Sequence, residues 1–211
     1  MNLSDKEISY QTTNTYSTLN SINTVTKHVW IVFHGMGYLS RYFSKYFKQL
    51  RADENYIIIP QAPSKYYLKS GFKHVGASWL TKENTQNDME NILDYIDAIL
   101  DAERIPSHTK LIVVGYSQGV SIATRYVARR RLNCNQLVLM SGSIPKELEP
   151  KDFRFLDAKV KLIYGDEDEY LNAERIVYEK TRAESLFGSS LEVIPFKGKH
   201  VVNIDIINNL V

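Results

Sequence analysis

The chain has 211 residues, 44% hydrophobic and 24% charged, which supplies enough apolar side chain for a sizeable core and excludes disordered and collagen-like classes. Lys and Arg number 26 against 24 Asp and Glu, and the resulting charge of +2 is too weak a field to recruit nucleic acid. A single cysteine, Cys134, precludes an intramolecular disulfide and a multi-cysteine metal site, so no metal and no cofactor are expected.

The length fits one α/β domain over residues 1–211. The first thirty residues are polar and rich in Thr, Asn and Ser, without the basic start and apolar stretch of a signal peptide. No run approaches the roughly 18 consecutive apolar residues of a spanning helix, so the expectation is a cytoplasmic chain with no integral membrane segment. Residues 9–26 are β-prone in their Tyr and Thr content and are expected as an edge hairpin, the alternative for 1–26 being a partly disordered segment.

Short β-branched or aliphatic runs of strand length follow at 30–33, 56–59, 111–114, 137–140, 160–164 and 191–194. Unbroken rather than alternating apolar character predicts strands covered on both faces, as in a parallel sheet. Between them lie helical periods. Phe43, Tyr46, Phe47 and Leu50 form a stripe after Ser40 as N-cap. Met89, Ile92, Leu93, Ile96, Ile99 and Leu100 form a second after Thr85, with Asp88 completing a capping box. Further helices are expected at 118–131, 172–187 and over the last ten residues. Arg129, Arg130 and Arg131 read as helix-terminal, solvated charge, and Cys134 as a small packing group. The alternation of strand and helix predicts an open, mostly parallel sheet with helices on both faces. Residues 60–84 lack periodicity, yet their Tyr66, Tyr67, Phe72 and Trp79 argue against disorder.

One motif carries chemistry. Gly115-Tyr116-Ser117-Gln118-Gly119 matches G-x-S-x-G between a predicted strand and a predicted helix, where composition alone gives about 0.04 chance matches. A serine hydroxyl needs a histidine base, and that base needs a carboxylate to hold its tautomer. His200 is the only histidine after Ser117; His28, His34, His74 and His108 all precede it. The acid should follow the strand at 160–164, where Asp166, Glu167, Asp168 and Glu169 stand together and sequence physics does not choose among them. Oxyanion donors are expected from the Gln118 amide and, through the glycines of His34-Gly35-Met36-Gly37, from the Met36 amide.

Taken together, these motifs resemble the phospholipase/carboxylesterase branch of the α/β-hydrolases, the group that includes acyl-protein thioesterases. His34 to Gly37 resembles its H-G-x-G, Pro60-Gln61-Ala62-Pro63 its P-x-A-P, and Ser78-Trp79 the aromatic segment before its long helix. Gly115 to Gly119 resembles its G-[FY]-S-Q-G, Leu139 to Gly142 its L-S-G element, and Gly198-Lys199-His200 its ending. The resemblance implies an α/β-hydrolase fold without a large cap. It also implies Asp168, three residues after Gly165, as the acid, with Asp166 the runner-up. Tyr38 stands where the family often has Asp, and Tyr170-Leu171 where it has Val-Pro, which affects substrate preference rather than the Ser, His and Asp positions.

The expectation is therefore a serine hydrolase of small or medium acyl esters or thioesters, acting on a small-molecule substrate as a monomer or homodimer. Tyr38, Trp79 and Tyr170 are candidate walls of the acyl site. A peptidase or acyltransferase on the same side chains, and a hydrolase fold that binds without catalysis, are the alternatives.

Overall fold

Strands buried on both faces need apolar residues at every position, and the centre of this chain supplies them. A computed structural model describes residues 3–211. Among the described residues nine strands form: β1 (Tyr16–Leu19), β2 (His28–Phe33), β3 (Asn55–Pro60), β4 (Ser64–Tyr67), β5 (Val75–Ser78), β6 (Lys110–Tyr116), β7 (Gln136–Met140), β8 (Lys159–Gly165) and β9 (Leu191–Phe196). Seven of them make one sheet in the order β1-β3-β2-β6-β7-β8-β9, parallel throughout except for the antiparallel edge strand β1.

Alternate residues of each central strand feed opposite faces. Trp30, Val32, Ile112, Val114, Val138 and Met140 pack under α1 (Ser40–Phe43), the 3₁₀ turn Ser44–Phe47 and the terminal α5 (Ile204–Asn208). Ile31, Phe33, Val113, Leu137 and Leu139 face α2 (Thr85–Glu103), α3 (Gln118–Arg130) and α4 (Ala173–Phe187). Met89, Ile92, Leu93, Ile96 and Ile99 of α2 are all buried, each contributing roughly 1.5–3 kcal/mol of hydrophobic stabilisation.

Several expectations are corrected. The edge hairpin at 9–26 is a single strand, β1, paired with β3 from Tyr16 opposite Pro60 to Leu19 opposite Ile57. The hairpin lies instead in the aperiodic segment, as β4 against β5. Ser40 is the first helical residue, preceded by Leu39 as N-cap, and its hydroxyl pairs with that of Ser17 at 2.8 Å. Asn84, in the left-handed conformation, precedes α2 and contributes no side-chain cap, so the Thr85–Asp88 capping box does not form. Arg129 and Arg130 stand in the last turn of α3 as expected, Arg129 exposed, and they also reach Glu90, Asp94 and Asp97 at 2.6–2.7 Å and so tie α3 to α2. Cys134 is buried in apolar surroundings, which push its thiol up to about 12.

Candidate active site

A strand that must hand over to a helix within one residue forces that residue out of ordinary backbone space. Ser117, between β6 and α3, has φ 54° and ψ −120°, a region that side-chain-bearing residues rarely occupy. Its amide donates to the Met140 carbonyl at 2.8 Å, which pins the turn to β7. The turn closes only because its neighbours lack side chains. A Cβ on Gly119 would overlap the Phe33 carbonyl, and one on Gly142 would overlap the Ser117 carbonyl.

His200 reaches this serine from the loop after β9. Its Nε2 lies 3.0 Å from Ser117 Oγ and its Nδ1 lies 2.8 Å from Asp168 Oδ2. Asp168 is buried, and its other oxygen accepts the amides of Tyr170 at 2.9 Å and Leu171 at 3.1 Å. Those two donors fix the carboxylate so that its other oxygen faces the imidazole. Asp166 does different work: it is exposed and accepts the Gly198 amide at 2.9 Å, bracing the loop that carries His200. Two further residues hold His200 that sequence reading did not single out. The Tyr116 hydroxyl donates to the His200 carbonyl at 2.9 Å, and Glu169 Oε2 accepts the His200 amide at 3.3 Å. Only the acidic run marked Glu169, and nothing in the sequence marked the Tyr116 hydroxyl.

The loop after β2 lies against the elbow. A Cβ on Gly35 would stand 3.1 Å from that of Ser117, so this backbone approaches the serine closely. Gly37, at φ +86°, completes the turn, and its amide donates to Ala77 of β5 at 2.8 Å. Among the described residues, neither the Met36 amide nor the Gln118 amide has an intramolecular backbone partner. Gln118 is the first residue of α3, where helical geometry leaves amides unpaired.

Beneath the loop, His34 is fixed in one tautomer. The Ala62 amide can only donate, at 3.2 Å to Nε2, so the ring proton sits on Nδ1 and is donated to the Gly35 carbonyl at 2.8 Å. Burial draws the His34 pKa down to about 4. The Gln118 side chain, read in the sequence only for its amide, is a clamp. Its Oε1 accepts the Trp79 amide at 2.8 Å and its Nε2 donates to the Leu80 carbonyl at 2.8 Å.

The three expected acyl-site walls part company. Tyr170 is exposed, its ring edge-on to His200 at 4.8 Å. Tyr38 is half-buried, packs edge-on against Phe43 and Tyr116, and shares a hydrogen bond with Tyr46 at 3.0 Å that helps raise its phenol to about 12, after burial. Trp79 is a correction: it is wholly buried, with its indole donating to the His34 carbonyl at 2.8 Å, because the H-G-x-G loop needs an apolar floor. A cavity of about 600 Å³ opens beside Tyr170, bounded by Ser121, Ser143, Arg175 and Glu179. Its lining is mixed: Ile144, Pro145 and Tyr178 stand beside Arg175, which donates to Ser143 Oγ at 2.7 Å, and buried Glu179, which accepts the Ile144 amide at 2.9 Å.

Comparison with known proteins bears on the fold and the family. The fold resembles that of Zea mays acyl-protein thioesterase 2, at 17% identity over 94% of this chain and 96% of that one, with a TM-score of 0.69. It equally resembles a phospholipase/carboxylesterase from Dyadobacter fermentans, at 20% identity over 95% and 97% of the two chains and a TM-score of 0.66. The Bacillus cereus carboxylesterase, at 13% identity over 93% and 91%, gives 0.67. A search of curated proteins finds no match. At these identities the neighbours speak for the fold alone, a mostly parallel sheet of the α/β-hydrolase kind. The family model for phospholipases and carboxylesterases matches residues 14–200, from just before the edge strand through His200, and on that match the chain belongs to the phospholipase/carboxylesterase family of α/β-hydrolases.

Proposed function

We propose that this hydrolase cleaves carboxylic esters or thioesters of small or medium acyl groups through Ser117, His200 and Asp168. The observation that carries the reading is the unbroken hydrogen-bond line Asp168–His200–Ser117, at 2.8 and 3.0 Å, ending on a strained strand-to-helix turn. Asp168 holds the proton on His200 Nδ1 and leaves Nε2 as acceptor for the serine proton. As Oγ attacks the acyl carbon, the proton passes to Nε2 and the carbonyl electrons move onto oxygen, where the Met36 and Gln118 amides stabilise them. Collapse of this intermediate expels the alcohol or thiol, which takes the proton from His200. Water then repeats the sequence on the acyl-enzyme.

The test is hydrolysis of p-nitrophenyl esters from acetate to laurate, with covalent labelling by a fluorophosphonate, on the native chain and on Ser117→Ala. Turnover and labelling that vanish together in the variant support the reading. Absence of both in the native chain sinks it.

A further inference from the structure

What a cavity beside a nucleophile selects depends on the groups its walls leave unmatched. The cavity next to Ser117 holds about 600 Å³, enough for a small-molecule group, and three segments bound it on the serine's side. Ser121 lies one turn into α3 from Ser117, Ser143 follows the Gly142 that backs onto the Ser117 carbonyl, and the Tyr170 ring meets that of His200. The remaining wall is the start of α4, which is already fastened to the loop after β7. Buried Glu179 accepts the Ile144 amide at 2.9 Å, and Arg182 donates to the Pro145 and Leu148 carbonyls at 2.6 Å each.

Arg175 lines the same wall and is matched differently from other arginines of the chain. Arg51, Arg125, Arg129 and Arg130 each reach a carboxylate oxygen at 2.6–3.0 Å. The Nη2 of Arg175 donates instead to the neutral Ser143 hydroxyl at 2.7 Å, and Glu179 Oε1 stands 4.0 Å from its Nε. A guanidinium carries five N–H donors in a planar fork, so among the described residues this one keeps donors without a protein acceptor on a side chain that is 55% exposed. Lys146 shares the lining and makes no ion pair among the described residues. Of the two carboxylates there, Glu179 is held by the Ile144 amide beneath the guanidinium, and Glu174 is exposed. With both present the site has no surplus positive charge for a phosphate dianion, whereas a carboxylate is a monoanion whose two oxygens fit the fork.

We propose that Arg175 recognises a carboxylate on the substrate, so that the ester or thioester cleaved at Ser117 carries a free carboxyl group on the part lying in this cavity. The proposal rests on the hydrolase reading given above and names its substrate class. Pro145, Tyr170 and Tyr178 supply apolar surface for the carbon chain between the two ends, and the Ser143 hydroxyl holds the guanidinium toward the loop after β7.

The experiment compares kcat/KM on the full chain for esters that differ only in a terminal carboxylate, with acid release followed at constant pH. Monomethyl succinate, glutarate and adipate carry it on the acyl side and are set against methyl butanoate, pentanoate and hexanoate. On the alcohol side, 4-acetoxybutanoate is set against butyl acetate. The carboxylate is expected to win by about tenfold or more, mainly through KM, in at least one series, as a charge-assisted hydrogen bond allows. The series that shows it tells which half of the ester lies in the cavity. Arg175→Gln should bring the ratio to about one, and Arg175→Lys should restore part of it, because the charge remains and the fork is lost. Each ratio is taken within one variant, so a general loss of activity does not imitate the effect. A native chain that is labelled by fluorophosphonate yet prefers the neutral ester in every pair overturns the proposal and leaves the hydrolase reading standing. A preference that persists in Arg175→Gln does the same. Absence of labelling in the native chain ends both.

Discussion

Two acidic residues two positions apart divide one task, and burial decides which does which. Asp168 is enclosed and bound to two amides and an imidazole, whereas Asp166 is exposed and bound to one loop amide. Asp168→Asn keeps the shape but offers His200 a donor or a neutral acceptor, and so releases the wrong tautomer; kcat on a p-nitrophenyl ester should fall by about 10⁴-fold. Asp166→Asn, which can still accept from Gly198, should cost less than about tenfold, and a reversal of that order would exchange the roles. Sequence physics left these carboxylates equal because neither burial nor loop direction is written in an acidic run. His34 carries a different consequence. With its pKa drawn from 6.5 to about 4, the unfolded chain binds a proton below pH 6.5 that the folded chain refuses. Stability is therefore fully present above pH 6.5 and declines as pH falls toward 4, by about 3 kcal/mol from this group. Urea midpoints of the native chain and of His34→Asn across that window measure it, and the variant should show the shallower pH dependence.

At the level of elements, legibility followed burial on both sides. The central strands β2, β3, β6 and β7 carry unbroken apolar runs and were readable for that reason, while β8 and β9 were readable although Lys161 and Glu192 interrupt them. Strand β1 was misplaced within a hairpin because β-propensity signals a strand and says nothing about its partner, which here is β3, some forty residues on. β4 was invisible for the opposite reason: all four of its residues are exposed, so no periodicity marks it. The helix starts failed where a side-chain cap was assumed and the tertiary context supplied another entry, as at Asn84. The candidate site was more readable than these elements, because G-x-S-x-G and a lone downstream histidine are local signals, whereas the clamp made by the Gln118 side chain is a contact across about forty residues. That clamp is testable. Gln118→Ala retains the backbone donor but strips partners from the Trp79 amide and the Leu80 carbonyl, and should lower stability by about 2 kcal/mol in urea titration. Unchanged stability would show that water replaces the amide and that the 78–80 segment does not need it.

Across the whole molecule, the residues proposed to act all leave the same edge of the sheet. Met36 follows β2, Ser117 follows β6, Asp168 follows β8 and His200 follows β9, so every one stands beyond the carboxyl end of a parallel strand. That is where crossovers leave a crevice in open α/β sheets. The backbone strain gathers there as well: Ser117 at φ 54° and Ser141 at φ 47° are neighbours through the Met140 carbonyl and Gly142, whereas the left-handed Asn84, Arg104 and Arg131 merely flank helices. Strain of this kind costs about 1–3 kcal/mol per residue and persists only when surrounding structure enforces it. Here β7 and the glycines at 115, 119 and 142 enforce it at the serine proposed to react. Stability and activity should then oppose each other at position 117. Ser117→Ala and Ser117→Gly both delete the hydroxyl and its bond to His200, but only glycine relaxes at that φ and ψ. After the extra chain entropy that glycine gives the unfolded state, a net gain of about 1 kcal/mol over alanine remains. In a chain of this size that is a melting temperature about 3 °C higher for Ser117→Gly than for Ser117→Ala, read by differential scanning calorimetry. Equal or reversed melting temperatures would mean that the turn at Ser117 is not under strain, and that its conformation is cheap for this fold.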